Sequence, residues 1–174
     1  MIYRKAGADD AEQLAEFGAR SFVDSYAHVM ERDELQTYVS QHYTPERMHA
    51  EISDPAGATF LALDPEIVGF AQLRAGNRPE CEMVSAAPAE LRRIYVERRR
   101  HGQGVAARLL GMVQAEARLR GCDTLWLAVW EINDRAISFY RKNGFSMAGR
   151  QGFPIGNEVQ TDHVMAKSLA DELQ

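Results

Sequence analysis

One stretch constrains this chain more than any other, Leu91-Arg92-Arg93-Ile94-Tyr95-Val96-Glu97-Arg98-Arg99-Arg100-His101-Gly102-Gln103-Gly104-Val105-Ala106-Ala107-Arg108-Leu109-Leu110. It reads as a strand, then a short basic loop with two glycines, then a helix rich in alanine and leucine. Gly102 and Gly104 remove side chains where the backbone turns tightly, so successive N–H groups can point into one concavity. The helix that opens at Gly104 adds unpaired N–H donors and the positive end of its dipole. Such a strand–loop–helix is an anion cradle, and the anion that suits it is a phosphate or pyrophosphate.

Three nucleotide-type signatures compete for that loop. A P-loop ends in Lys-Ser/Thr, which is missing here. A dinucleotide Gly-x-Gly-x-x-Gly motif would need its third glycine where Ala107 stands, and it normally opens its domain, whereas this loop lies past the middle of the chain. The third pattern, Arg/Gln-x-x-Gly-x-Gly/Ala, is met by Arg99-Arg100-His101-Gly102-Gln103-Gly104. It resembles the acetyl-CoA pyrophosphate loop of the GNAT superfamily of N-acetyltransferases. A second element follows: an apolar run at residues 125–129, then Asn133, Ala136, Phe139, Tyr140, Gly144 and Phe145 in a helical segment. This is similar to the family's next cofactor-contacting segment.

The rest of the chain fits one domain. It has 174 residues, 45% hydrophobic and 26% charged, enough to bury a core and too apolar for disorder. No run of about 18 apolar residues suggests a membrane span, and Met1 to Ala6 show no apolar secretory segment. Cys81 and Cys122 lack metal-ligand spacing and read as reduced thiols of a cytoplasmic protein, and no metal site is expected. The net charge of −5 argues against nucleic-acid binding and suits a cationic substrate. Arg92, Arg93, Arg98, Arg99 and Arg100 form a basic cluster read mainly as a solvated face, with Arg99 set apart because it begins the loop motif.

Patterning predicts strands at 2–5, 59–63, 67–73, up to Val96, around Leu127, 145–150 and 161–168. It predicts helices after Asp9 or Asp10, at 31–41, at 45–52, at 104–120 and at 135–143. Gly18 inside the first helix suggests a kink or break. Asp64-Pro65-Glu66 reads as a three-residue hairpin connection, residues 74–88 as a loop, and Gly121 and Gly144 as helix stops. The resemblance covers essentially the whole chain, residues 1–174. It implies an α/β fold: a single mixed, mostly antiparallel central sheet flanked by helices.

The resemblance also assigns roles. Acetyl transfer to an amine needs a base, donors at the oxyanion and a proton for the leaving thiolate. Glu90, which alternation puts on the face of Arg92, Ile94 and Val96, is the candidate base; it also reads as a solvated strand-edge glutamate. Tyr140 is the candidate acid, two helical turns from Asn133. Backbone groups of Ile94, Tyr95 and Val96 would bind the pantetheine arm. Arg99, Gly102, Gln103, Gly104, Val105 and Ala106 would hold the phosphates. Asn133, also a helix cap, would bind the arm, and Lys142, also a plain surface lysine, a phosphate.

Two looser segments are similar to Pai-type bacterial polyamine N-acetyltransferases. One is Ser21-Phe22, Tyr26, Asp33-Glu34-Leu35 and Tyr38 with Tyr43-Thr44-Pro45-Glu46-Arg47-Met48. The other is Phe153-Pro154-Ile155-Gly156-Asn157-Glu158-Val159-Gln160-Thr161-Asp162 with Met165. Asn157 departs from the acidic residue of that type. The resemblance implies a small polyamine acceptor such as spermidine or spermine, with Asp24, Glu31, Asp33, Glu34, Glu158 and Asp162 as acidic lining. The alternatives are a peptide or protein amine, an amino-acid derivative, an antibiotic amine, or a CoA-binding regulatory module without turnover. Dimers are common in the family, so a homodimer is an open expectation.

Overall fold

The chain forms seven strands: β1 (Ile2–Lys5), β2 (Gly57–Leu63), β3 (Ile67–Ala75), β4 (Pro88–Val96), β5 (Thr124–Trp130), β6 (Ser146–Ile155) and β7 (Glu158–Ser168), of which β2 to β5 are the ones rich in β-branched, aromatic and other apolar residues. Five helices separate them: α1 (Ala11–Tyr26), α2 (Arg32–His42), α3 (Pro45–Ser53), α4 (Val105–Leu119) and α5 (Asp134–Lys142). The computed structural model describes residues 1–155 and 158–170. The strands form one sheet in the order β1-β2-β3-β4-β5-β7-β6. β1–β2, β5–β7 and β6–β7 are antiparallel and β4–β5 is parallel, so the sheet is mixed and mostly antiparallel. No helix among the described residues is long and apolar enough to cross a membrane.

The residues group into two compact units, Met1–Gln72 with Arg93–Met112, and Leu73–Arg92 with Val113–Gln174. In the first unit α1 buries Leu14, Phe17 and Phe22, and α3 buries Met48; Leu61, Val68 and Phe70 of the sheet and Leu109 of α4 are equally enclosed. α3 starts at Pro45, and the Thr44 hydroxyl caps it by accepting from the Arg47 N–H at 3.1 Å. α1 runs through Gly18 without interruption, contrary to the kink its composition suggests. The glycine serves close approach: a Cβ there would lie 2.5 Å from Cδ1 of the Tyr43 ring.

In the second unit Leu125, Trp126 and Leu127 of β5, Val164 and Met165 of β7, and Ile137, Tyr140 and Phe145 at α5 make the core. β6 and β7 pair from Ser146↔Ala166 to Ile155↔Glu158, a longer hairpin than the polar sequence suggests. Gly156 and Asn157 lie outside the described residues. Residues 76–87 are pinned to the sheet by Asp123, whose carboxylate accepts from the Ser85 hydroxyl and from the N–H groups of Ala86 and Ala87. These donors, the Ser85 hydroxyl first, depress the Asp123 carboxyl to about 2.

Candidate active site

In the first unit β4 ends at Val96 and the chain makes a single 3-10 turn over Arg98–Arg100 before α4 begins at Val105. The loop is held from behind. Arg100 reaches Asp64 at 2.5 Å, the His101 ring donates from Nε2 to the Val96 carbonyl at 2.8 Å, and Gln103 Nε2 donates to the Arg99 carbonyl at 2.9 Å. Gly102 and Gly104 take φ of 76° and 81°, the left-handed region that side chains resist. No atom lies within 4 Å of where a Cβ would stand on either. The Gln103 N–H is spent on the Arg100 carbonyl, and the first turn of α4 closes with Arg108 N–H on Gly104 O. The N–H groups of Gly102, Gly104, Val105, Ala106 and Ala107 meet no backbone acceptor among the described residues. N–H groups without backbone acceptors at the start of a 15-residue helix, beside two glycines with no atom near their missing Cβ, suit an anion with several oxygens.

The arginines around the loop divide by surroundings. Arg99, two-thirds exposed, pairs with Glu97 at 2.7 Å, and this partner raises its pKa. Arg93 departs from the solvated face expected of the basic run. Its side chain is only 9% exposed, 2.6 Å from Glu51 and 2.8 Å from the Gln72 amide oxygen, with its guanidinium 5.1 Å from the centre of the Tyr43 ring. Burial works against its charge, but Tyr43 and Glu51 outweigh it and raise its pKa. Sequence spacing could not reveal this, because the partners come from α3 and β3. Of the β4 segment, Tyr95 stacks near Phe70 at 5.8 Å and hydrogen-bonds Tyr43, and burial pushes its hydroxyl well above the ordinary range. The Glu97 N–H donates to Val68 O, so alternation turns the peptide groups of Ile94 and Val96 to the other edge of β4.

The second unit holds Glu90, Asn133, Tyr140 and Lys142. Asn133 caps α5, its side chain accepting from the Ala136 N–H at 3.1 Å. Tyr140 is buried, with Phe139 and Phe145 edge-on at 5.3 and 5.8 Å. Lys142 is exposed on the last turn. Glu90 accepts from Asn77 Nδ2 at 2.5 Å, and the Asn77 carbonyl accepts from the Trp126 indole at 2.8 Å. Sequence reasoning missed Asn77, which stands in a loop without periodicity. Glu90 is in register with Trp126, so their side chains share a face. α5 ends at Gly144 beside Lys167, which is in register with Leu125 and therefore on the opposite face. Pairing of β4 with β5 covers Pro88–Glu90 only.

The Acetyltransferase (GNAT) family pattern matches residues 23–145, well over half of the chain. The chain belongs to the GNAT family. An uncharacterized N-acetyltransferase of Mycobacterium tuberculosis is 32% identical over 161 residues, which are 92% of this chain and 98% of that protein. The spermidine N(1)-acetyltransferase of Thermoplasma acidophilum is 25% identical over 86% of this chain and 90% of its own. Among solved structures, the PaiA N-acetyltransferase of T. acidophilum in complex with coenzyme A superposes with a TM-score of 0.74. It is 24% identical, over 96% of this chain and 98% of its own, and carries the fold. GNAT membership gives the glycine loop its meaning, and the loop's unspent donors and side-chain-free concavity fit a pyrophosphate. No group of three or more His, Cys, Asp or Glu among the described residues is placed to hold a metal ion.

Proposed function

We propose that this GNAT enzyme transfers the acetyl group of acetyl-CoA to a primary amine of a small polyamine such as spermidine or spermine. The observation that carries the cofactor is the loop, where Gly102 and Gly104 take positive φ with no atom within 4 Å of their missing Cβ and the N–H groups that open α4 have no backbone acceptor. Acetyl-CoA supplies a thioester with a good leaving group. Gly102, Gln103, Gly104, Val105 and Ala106 bind its pyrophosphate, with Arg99 and Lys142 adding charge. The backbone of Ile94 and Val96 and the side chain of Asn133 bind the pantetheine arm in the manner of an added strand, whereas Tyr95, expected to join them, turns its peptide groups toward β3.

Glu90 takes the proton from the acceptor. An alkyl ammonium of pKa about 10.4 is some three units above neutral pH, so freeing its lone pair costs about 4–5 kcal/mol. A carboxylate fixed in place holds the cation before it loses its proton to solvent and takes the second proton as the nitrogen is acylated and becomes far more acidic; the Asn77 amide fixes this one. Tyr140 gives the thiolate its proton. In water that transfer is uphill by about 2 kcal/mol, and it balances because the proton released by the acylated nitrogen returns to the Tyr140 phenolate, so no charge is left on the buried ring.

The acceptor class rests on the spermidine N(1)-acetyltransferase relative and on the acidic side chains Asp24, Glu31, Asp33 and Glu34 along α1 and α2. The two units act as one catalytic domain in this reading, in the cytoplasm, with a homodimer as the assembly to test. Release of free thiol from acetyl-CoA across spermidine, spermine, monoamines, amino acids and peptides tests it. Selective turnover of polyamines is expected. Turnover of another amine alone would remove the acceptor and keep the chemistry, and CoA binding without transfer to any amine would remove the enzyme reading.

A further inference from the structure

The basic run ahead of the glycine loop does not act as one positive patch. Within the first unit Arg99 is paired with Glu97 and Arg100 with Asp64, so both of these arginines stand against carboxylates. The two pairs differ in reach. Arg99 and Glu97 are near neighbours in sequence, and the Arg99 side chain is two-thirds exposed. Arg100 crosses to another part of the unit, because Asp64 belongs to the turn between β2 and β3, 36 residues earlier.

That turn is firmly rooted. Leu61 and Ala62 of β2 and Val68 of β3 are at most 1% exposed, and the Asp64 N–H closes the turn on the Glu66 carbonyl at 2.7 Å. β3 also takes the start of the basic run, since the Val68 carbonyl accepts from the Glu97 N–H at 2.8 Å. Asp64 is therefore a fixed post, and Arg100 is the side chain by which the loop grips it.

Arg100 sits where such a grip acts on the glycines. Its N–H donates to the Glu97 carbonyl and its carbonyl accepts from the Gln103 N–H, so its peptide groups join the 3-10 turn to the turn through Gly102. Its guanidinium meets one Asp64 oxygen through one nitrogen at 2.5 Å, and its Nε is enclosed without a hydrogen-bond partner among the described residues. No atom comes within 4 Å of the missing Cβ of Gly102 or Gly104, so this head group does not stand over the glycines. A partly exposed ion pair contributes little to global stability. Two glycines at positive φ, by contrast, have the most conformational freedom to lose on binding. Holding them in shape before the anion arrives is where such a pair has its effect.

We propose that Arg100 is a positioning residue of the cofactor site: its ion pair with Asp64 presets the Gly102–Gly104 turn, so that backbone N–H groups, and not the Arg100 charge, hold the pyrophosphate of acetyl-CoA. This rests on the reading of the loop as the cofactor cradle and gives a part in it to a residue of another hairpin. Plain electrostatics gives the opposite sign. A carboxylate near a bound anion repels it, so removing the Asp64 charge would tighten binding. If Asp64 acts through Arg100, removing that charge loosens binding although the site becomes more positive.

Calorimetric titration of CoA into the full chain, Asp64→Asn, Arg100→Met, the double variant and Arg100→Lys tests this. Asp64→Asn and Arg100→Met are each expected to weaken CoA about tenfold, and the double variant no more than the more affected single one. Arg100→Lys regains most of the affinity, because an ammonium can reproduce a contact of one nitrogen with one oxygen. Melting temperatures should stay within about 4 °C of the unaltered protein, and a larger drop in Asp64→Asn would make the pair structural and overturn the proposal. Unchanged or tighter CoA binding by Asp64→Asn overturns it, as do losses that add in the double variant. If the unaltered protein does not bind CoA, the cofactor reading itself fails and this proposal with it. If it binds CoA but acetylates no amine, the titrations still decide.

Discussion

Gly104→Val isolates the phosphate cradle. Gly104 has φ of 81° and no atom within 4 Å of its missing Cβ, so the substitution meets no clash and incurs backbone strain of about 1–2 kcal/mol. Gly76, in the loop of the other unit, has φ of 79° and equally open space, which makes Gly76→Val a matched control. Both variants are expected to lose about 2–8 °C in melting temperature, from the same strain in a chain of this size. Only Gly104→Val puts two γ-carbons where the pyrophosphate would lie. Loss of two charge-assisted bonds from backbone N–H groups removes about 3 kcal/mol or more, a CoA affinity drop above a hundredfold. Calorimetric titration of CoA into both variants reads this directly. A folded Gly104→Val protein binding CoA within threefold of the unaltered protein would refute the cradle, as would an equal loss in Gly76→Val.

Tyr140→Phe should lower turnover at least tenfold while acetyl-CoA affinity stays within threefold, measured by thiol release and by calorimetry; normal turnover would remove Tyr140 as the acid. Gly18→Ala forces a methyl to within 2.5 Å of the Tyr43 ring and should cost about 1–3 kcal/mol in urea unfolding, where a neutral result would mean that α2 and α3 shift freely. Asp162→Asn should stabilise the protein in a pH-dependent way. Its carboxyl rises from 3.8 to about 6 in the folded state, so the folded chain binds the proton more tightly than the unfolded chain. The resulting penalty is absent below about pH 4, builds up to about pH 6 and is complete above it, on the order of 1 kcal/mol once solvent screening is included. Melting at pH 4 should therefore be alike for both proteins, and melting at pH 7.5 should favour the variant; equal differences at both pH values would contradict the assignment.

The strand, glycine loop and helix from β4 to α4 were legible because they rest on local signals. The β4–loop–α4 passage shows its glycines, its apolar strand and its alanine-rich helix within twenty residues, and each of these acts within a few ångströms of its neighbours in sequence. The Asp64-Pro65-Glu66 turn and the Asn133 cap were readable for the same reason. The length of the β6–β7 hairpin was not, because pairing from Ser146 to Ser168 is sustained by backbone hydrogen bonds through Arg150, Gln151, Gln160 and Thr161 rather than by apolar alternation. Gly18 misled because glycine in a helix signals weakness only if nothing needs the space, and Tyr43, 25 residues on, does.

Contacts made between distant parts of the chain are of this second, non-local kind. Arg93 looks like one of five neighbouring surface arginines until Glu51 and Gln72 close on it from 42 and 21 residues away. Glu90 acquires its fixed orientation from Asn77, and Asp162 acquires its enclosure from strand register and a loop that begins some 85 residues earlier. A cofactor common to a family needs the same oxygens bound in the same way, and one continuous peptide can do that. An acceptor is read by side chains spaced across a sheet, where a residue's neighbours are set by register rather than by sequence. The difference has a physical consequence: exchanging side chains of β5, β6 or β7 leaves the β4–loop–α4 backbone untouched, so contacts set by strand register can change while the glycine loop keeps its form.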